Sequence, residues 1–217
     1  KYVTNRFVAG ANLLHTATFE TVKTGPSAKN RSKFSPTINC SFQPWENKEY
    51  RIRAFYKNLY RLPTFNELYY QEMGNANLLP ENANLINVGF TITEQNIFEF
   101  INLTLTADAY RNMVKDKIIM LPRNGFYWSM RNRGKVKIWG IDANIKTDIL
   151  LNNKRELSIR ANYSFQRAKD KTPESDNFGE QIPYTPIHSG STSVSYALKN
   201  WEAGYNLLFS GVRWIGQ

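Results

Sequence analysis

Phe34-Ser35-Pro36-Thr37-Ile38-Asn39-Cys40-Ser41-Phe42-Gln43 sets a nonpolar residue at every second position and a polar one between. A period of two is the mark of a β-strand with one greasy face and one wet face. After it, Pro44, Trp45, Glu46 and Asn47 make a tight turn. The next stretch sets Tyr50, Ile52, Ala54 and Tyr56 against Arg51, Arg53 and Lys57, with Phe55 as the exception.

The stripe recurs along the chain on both sides of this strand. Upstream, Phe7, Ala9, Ala11 and Leu13 begin the series, and a loop is expected from about Thr16 to Arg31. Downstream, a long polar stretch from Tyr60 to about Asn84 precedes the strand of Ile86, Val88, Phe90 and Ile92. A short turn at Glu94–Asn96 leads to Ile97, Leu103, Leu105, Ala107 and Ala109. An irregular stretch is expected from about Asn112 to Gly134, with Asp116 to Leu121 as a candidate strand extension. Trp139, Ile141, Ala143 and Ile145 then turn at Leu151–Lys154 into Leu157, Ile159, Ala161, Tyr163 and Phe165. A third long stretch runs from Ala168 to about Ser189, and Val194, Tyr196 and Leu198 turn at Lys199-Asn200 into Trp201, Ala203, Tyr205, Leu207 and Phe209.

The gaps thus alternate short and long. Up-and-down barrels of the outer membrane have short turns at one end and long loops at the other. Strands of roughly 9 to 11 residues suit a tilted crossing of a bilayer. Trp45, Tyr50, Tyr60, Trp139, Trp201 and Phe209 fall toward strand ends, the depth that aromatic girdles occupy. Arg51, Arg53, Lys57, Asp142, Lys146, Arg160 and Glu202 share the opposite face. A soluble two-layer sandwich also has a wet face, so alternation alone leaves a soluble all-β binding or adhesion module open. Strand length and gap rhythm favour the barrel.

Composition agrees without deciding. The 217 residues are 41% hydrophobic and 14% aromatic. The mean hydropathy of −0.51 suits a barrel, because only alternate residues meet lipid. No run is long and apolar enough for a membrane-crossing helix. The net charge of +10 is spread over many segments, with no long basic run, so nucleic acid is not an expected partner. Cys40 is the single cysteine and lies on the greasy stripe, where a thiol acts as a small hydrophobe. Acidic residues are too scattered for a metal site, and no cofactor is expected. The two histidines offer one hydrolase arrangement, His188 near Ser189 and Ser191. Neighbours in a strand point to opposite faces, so no enzyme is expected. The glycosylation-like triplets at Asn30, Asn39, Asn102 and Asn162 fall largely within strands and carry no weight.

The stretch from Tyr60 reads Tyr-Arg-Leu-Pro-Thr-Phe-Asn-Glu-Leu-Tyr-Tyr, and from Gly74 it reads Gly-Asn-Ala-Asn-Leu-Leu-Pro-Glu. It resembles two adjacent boxes of TonB-dependent outer-membrane receptors, approximately F-R-x-P-[TS]-[FL]-x-E-L-[YF] and G-N-P-x-L-x-P-E. Arg61, Pro63, Thr64, Glu67, Leu68 and Tyr69 match the first. Gly74, Asn75, Leu78, Pro80 and Glu81 match the second. Tyr60, Leu62 and Ala76 depart from the pattern. Met113 to Ile119, the Arg131-Asn132-Arg133-Gly134 run followed by Trp139-Gly140-Ile141-Asp142, and Pro186 with His188 are similar to later family segments.

The resemblance implies an all-β, antiparallel, up-and-down transmembrane β-barrel fragment, about nine or ten strands of a barrel of about 22. Residues 1–217 would be a partial barrel domain, and the family's N-terminal plug domain is expected outside this chain. The implied function is active uptake through the outer membrane of a Gram-negative cell. The ligand would be scarce: a ferric siderophore, cobalamin or haem, with any metal arriving inside it. The implied partners are TonB, acting through the plug, and outer-membrane lipid and lipopolysaccharide. Haem receptors often place a His between the two boxes, and Gln71-Glu72-Met73 has none. Arg61 is expected to pair with Glu67 or Glu81 and brace the loop base. Tyr69, Tyr70, Arg123, Tyr127, Trp128 and Arg131 are the candidate ligand contacts, since aromatic and guanidinium groups in outer loops can grip an anionic chelate.

Overall fold

The computed structural model describes residues 2–124, 127–152, 155–173 and 175–215, and the side chains of residues 121–124 and 152 lie outside the description. Ten strands form one antiparallel sheet in strict chain order, β1 to β10. They are β1 (Tyr2–Val3), β2 (Phe7–Thr18), β3 (Arg31–Phe42), β4 (Glu49–Arg61), β5 (Glu81–Ile97), β6 (Ile101–Asn124), β7 (Tyr127–Asn152), β8 (Arg155–Asp170), β9 (His188–Leu198) and β10 (Trp201–Ser210). One short helix, α1 (Phe65–Tyr69), sits in the β4–β5 connection. No helix among the described residues is long and apolar enough to cross a membrane, which says nothing about crossing by strands.

The register lines up the stripes across the sheet. Phe42, Ile52, Phe90, Ala107, Ala143 and Tyr163 form one continuous row of directly opposed residues. Ala54, Val88, Ala109, Ile141 and Phe165 form the next. This face has no protein against it: Ile52, Val88, Phe90, Ile141, Ile145 and Tyr163 are all exposed. A sheet that leaves so wide an apolar face uncovered is suited to hydrocarbon, not water. The other face carries Arg53, Asp108, Asp142 and Ser164 in one row, with Gly89 between Arg53 and Asp108.

Pro36 lies inside β3, where a missing donor would break a ladder shared on both sides. The β3–β4 ladder reaches only Thr37, opposite Lys57, so at Pro36 the strand is paired with β2 alone.

Two boundaries differ from the sequence expectation. The turn expected at Glu94–Asn96 falls later, after Ile97, with Phe98 and Glu99 at positive φ. The stretch expected to be irregular from Asn112 to Gly134 is β-ribbon over 112–124 and 127–134, where β6 runs 24 residues and β7 26, and the candidate extension Asp116 to Leu121 lies within β6. Around Lys115–Lys117 and Arg131–Arg133 successive residues are polar on both faces, so period two has no contrast to show there.

The buried core is small and lies at the long-loop end. Leu68, Leu78 and Ile118 bury together, with Ala28, Tyr69 and Met130 packed against them. Burial of each large side chain contributes roughly 1.5–3 kcal/mol. The cluster joins the β2–β3 loop, α1, the segment before β5, and the β6–β7 ribbon.

Candidate functional site

Arg61 ends β4 and Glu81 begins β5, directly opposite it. The guanidinium grips Glu81 with both ends, Nε to Oε2 at 2.9 Å and Nη2 to Oε1 at 2.8 Å. Its third nitrogen, Nη1, donates to Glu67 Oε2 at 2.9 Å and Oε1 at 3.1 Å. Glu67 is the third residue of a capping box on α1: its side chain accepts from Thr64 N at 2.7 Å, and its own N–H donates to Thr64 Oγ1 at 3.3 Å. Glu81 Oε1 also accepts from the Ile118 backbone at 2.7 Å. One arginine therefore ties β4, α1, β5 and β6. Partial burial pushes both carboxyls up, but the Arg61 hydrogen bonds and the Thr64 and Ile118 N–H groups outweigh it and hold both below the usual range. Glu81 in turn raises the Arg61 guanidinium, and the charged state of all three is locked.

The neighbouring loops are fastened to this base. Tyr69 Oη donates to Glu20 at 2.6 Å and accepts from Ala28 N at 3.1 Å, which pins the β2–β3 loop. Asn75 donates to Met130 O at 3.2 Å, and Met130 N donates to Met73 O at 2.8 Å. Asn132 accepts from Leu79 N at 2.7 Å and donates to Leu79 O at 2.8 Å and Asp116 O at 2.6 Å. The β8–β9 loop is held through Asp170, which is only 1% exposed. Arg133 reaches it at 2.6 and 2.9 Å, Ser175 Oγ at 2.9 Å and Thr172 N at 2.8 Å. Burial works to raise this carboxyl, yet the Thr172 bonds and Arg133 bring it down to about 2.

Five of the six sequence candidates fall into two groups. Tyr69 has its hydroxyl engaged by the β2–β3 loop, so its role here is bracing. Tyr70, at the end of α1, is 53% exposed. Tyr127 and Trp128, 64% and 49% exposed, lie near the far end of the ribbon. Arg131 is exposed, its Nε donating to Ser129 Oγ at 3.3 Å. The Met73–Met130 bond brings the α1 loop alongside β7 one residue from Arg131. The Arg123 side chain lies outside the described residues.

Three fasteners lie outside the sequence expectation. Asn132 and Asp170 are ordinary polar residues in a chain rich in them, and only their long-range partners reveal them. Arg53 meets Asp108 at 3.2 Å across β5, and it meets Thr91 Oγ1 at 2.6 Å. The signal available was Gly89, a gap in the middle of an otherwise filled strand.

One serine–histidine contact lies near the long-loop end, His15 Nε2 with Ser32 Oγ at 2.9 Å, both residues exposed. The loop end also presents exposed aromatic side chains, Tyr70, Tyr127 and Trp128, with Arg131 beside them. The family described as "TonB dependent receptor-like, beta-barrel" matches residues 5–217. The chain is 27% identical over 146 residues to a protein named "Vitamin B12 transporter BtuB" from Vibrio vulnificus, covering 63% of this chain and 22% of that one. It is 24% identical over 169 residues to the protein of the same name from Photobacterium profundum, covering 75% of this chain and 25% of the relative. Among solved structures, "Copper transporter OprC" superposes with a TM-score of 0.65 at 14% identity, over 93% of this chain and 32% of that chain. The chain thus spans about a quarter of the length of the curated relatives, and the structural likeness speaks for the fold.

Proposed function

Because the chain belongs to the TonB-dependent receptor-like β-barrel family, a transport family of the outer membrane and not an enzyme family, we propose that it is part of a receptor that takes up a scarce ligand with energy coupled through TonB. The rim carries capture in this reading. Tyr70, Tyr127, Trp128 and Arg131 contact the ligand, while Arg61, Glu67, Glu81 and Asp170 keep the loops in place. The TonB contact belongs to a plug domain supplied by the rest of the protein.

The observation that carries this reading is the fastening of the β4–β5 connection by the Arg61 guanidinium through Glu67 and Glu81, with β6 tied in through the Ile118 N–H, at one end of the sheet. Such preorganisation lowers the entropy lost when a ligand binds. The proposed ligand class is cobalamin, ferric siderophore or haem. The two relatives carrying a vitamin B12 name make cobalamin the first compound to try.

The experiment is equilibrium binding to the full-length protein with cyanocobalamin, haem and a panel of ferric siderophores in parallel. Saturable binding of one of them, weakened by alanine at Tyr70, Trp128 and Arg131 together, is the expected result. Saturable binding of none would turn the reading toward glycan or peptide uptake.

A further inference from the structure

The chain has 4 methionines, and three of them meet at one contact. Met120 on β6 directly faces Met130 on β7. The Ile118 and Met130 N–H groups both leave the ribbon, one for Glu81 and one for Met73. Met120 and Met130 are therefore a close, non-hydrogen-bonded pair, with side chains on one face and β-carbons about 4.5–5.5 Å apart. Met73 comes from the α1 loop, where its carbonyl accepts from Met130 N at 2.8 Å. That loop lies on the same face of the ribbon. Leu68 and Leu78 pack on Ile118, two positions before Met120, and the Asn132 side chain, two positions after Met130, holds the Leu79 backbone. The fourth methionine, Met113, lies lower on β6 beside Arg111.

Packing alone does not account for this trio. A methionine that fills a gap gains by being buried. Met120 is 46% exposed, and Met73 and Met130 are only partly buried, at the open margin of the Leu68–Leu78–Ile118 cluster. What the three side chains share is a neutral, polarisable sulfur on a stem with three rotatable bonds, free to turn toward a common point. Harder donors are not gathered here: among the described residues no group of three His, Cys, Asp or Glu could hold a metal ion. Arg131 falls on the opposite face of β7 by alternation. Thioethers without oxygen or imidazole partners favour Cu(I) over the harder ions, which need carboxylate, carbonyl or nitrogen ligands.

We propose that Met73, Met120 and Met130 bind a soft monovalent cation, Cu(I), between the ribbon and the α1 loop. The three sulfurs donate lone pairs, and because a thioether carries no proton, none is released on binding. The ion joins β6, β7 and the α1 loop, beside the Met73–Met130 hydrogen bond and the Asn75 and Asn132 ties. An opened latch would part Met73 from the other two, so the ion binds the closed latch and stabilises it. The inference takes nothing from the identity of the transported ligand.

The test uses full-length protein in detergent carrying C40A, because the Cys40 thiol would itself take a soft ion. Silver nitrate in chloride-free buffer serves as the redox-inert probe, followed by Cu(I) under nitrogen against a chromogenic Cu(I) chelator. Bound metal is counted by mass spectrometry after desalting. The variant M73L/M120L/M130L, which nearly conserves volume, is expected to hold one equivalent fewer of either ion. M120L alone changes an exposed side chain, and it is expected to fold and to bind roughly tenfold more weakly. M113L is expected to bind as the parent does. Affinity is expected to stay level between about pH 8 and 6, where imidazole ligands would be lost. Amide exchange over residues 73–79 and 128–132 is expected to slow when Ag(I) is added. Equal metal content in the triple variant, an equal loss in M113L, a fall in affinity across that pH window, or unchanged exchange overturns the proposal. Cyanocobalamin, haem and siderophore binding are read separately, so failure there leaves the metal result standing.

Discussion

Arg61 holds two carboxylates, so replacing it strands both. With R61Q, Glu67 and Glu81 face each other half-buried without a cation. The expected cost to the local structure is on the order of 2–3 kcal/mol, seen as faster amide exchange over residues 62–80. R61K keeps the charge but cannot serve both partners in a fork, so an intermediate loss is expected. Asp170 gives a pH signature at the same scale. Its folded value of about 2 lies below the ordinary 3.8, so the ionised form favours the folded loop. That contribution, about 2 kcal/mol, is complete above the ordinary value and is lost as pH falls through about 2. Amide exchange in the β8–β9 loop is expected to accelerate over that window, and in D170N the window disappears.

At the scale of elements, a strand can serve by lacking a side chain. Gly89 lies between Arg53 on β4 and Asp108 on β6, and a β-carbon there would run into the Asp108 carboxylate. The ion pair across β5 exists because that space is open. G89V is expected to part the pair and lower the thermal midpoint of the full-length barrel, whereas R53Q/D108N removes the charges with little further effect of G89A. In α1, T64A removes one half of the capping box at an expected cost of about 1 kcal/mol, read as exchange at Glu67 and Leu68. These elements also show how far the sequence can be read. Strands crossing the belt were legible because Phe42, Ile52, Phe90 and Tyr163 alternate with polar neighbours. The ribbon was not, since Lys115 to Lys117 and Arg131 to Arg133 are polar on both faces. The helix α1 was hidden for another reason: five residues are too few for a helical period, although Thr64 and Glu67 stood at capping-box spacing. Tyr60 to Glu81 identified the loop base, but the ties through Asn132 and Asp170 depend on contacts more than 35 residues apart in the chain.

At the scale of the molecule, the sheet is an open arc with β1 and β10 at its edges. Unpaired backbone groups at an edge cost several kcal/mol each in hydrocarbon. The ten strands expressed alone are therefore expected to associate edge to edge in detergent, while the full-length protein runs as a closed species. Size-exclusion chromatography with light scattering distinguishes the two. The gap rhythm along the chain announced this up-and-down order, and strand follows strand without one crossover. The ribbon of β6 and β7 has a further consequence. A crossing needs roughly ten residues of each strand, so more than half of its length stands clear of the belt. Its flank is latched to the α1 loop at Met73, Asn75 and Leu79. The same latch joins the outer part of the ribbon to the connection that Glu67 and Glu81 hold to Arg61, so the overhang and the loop base share one set of bonds.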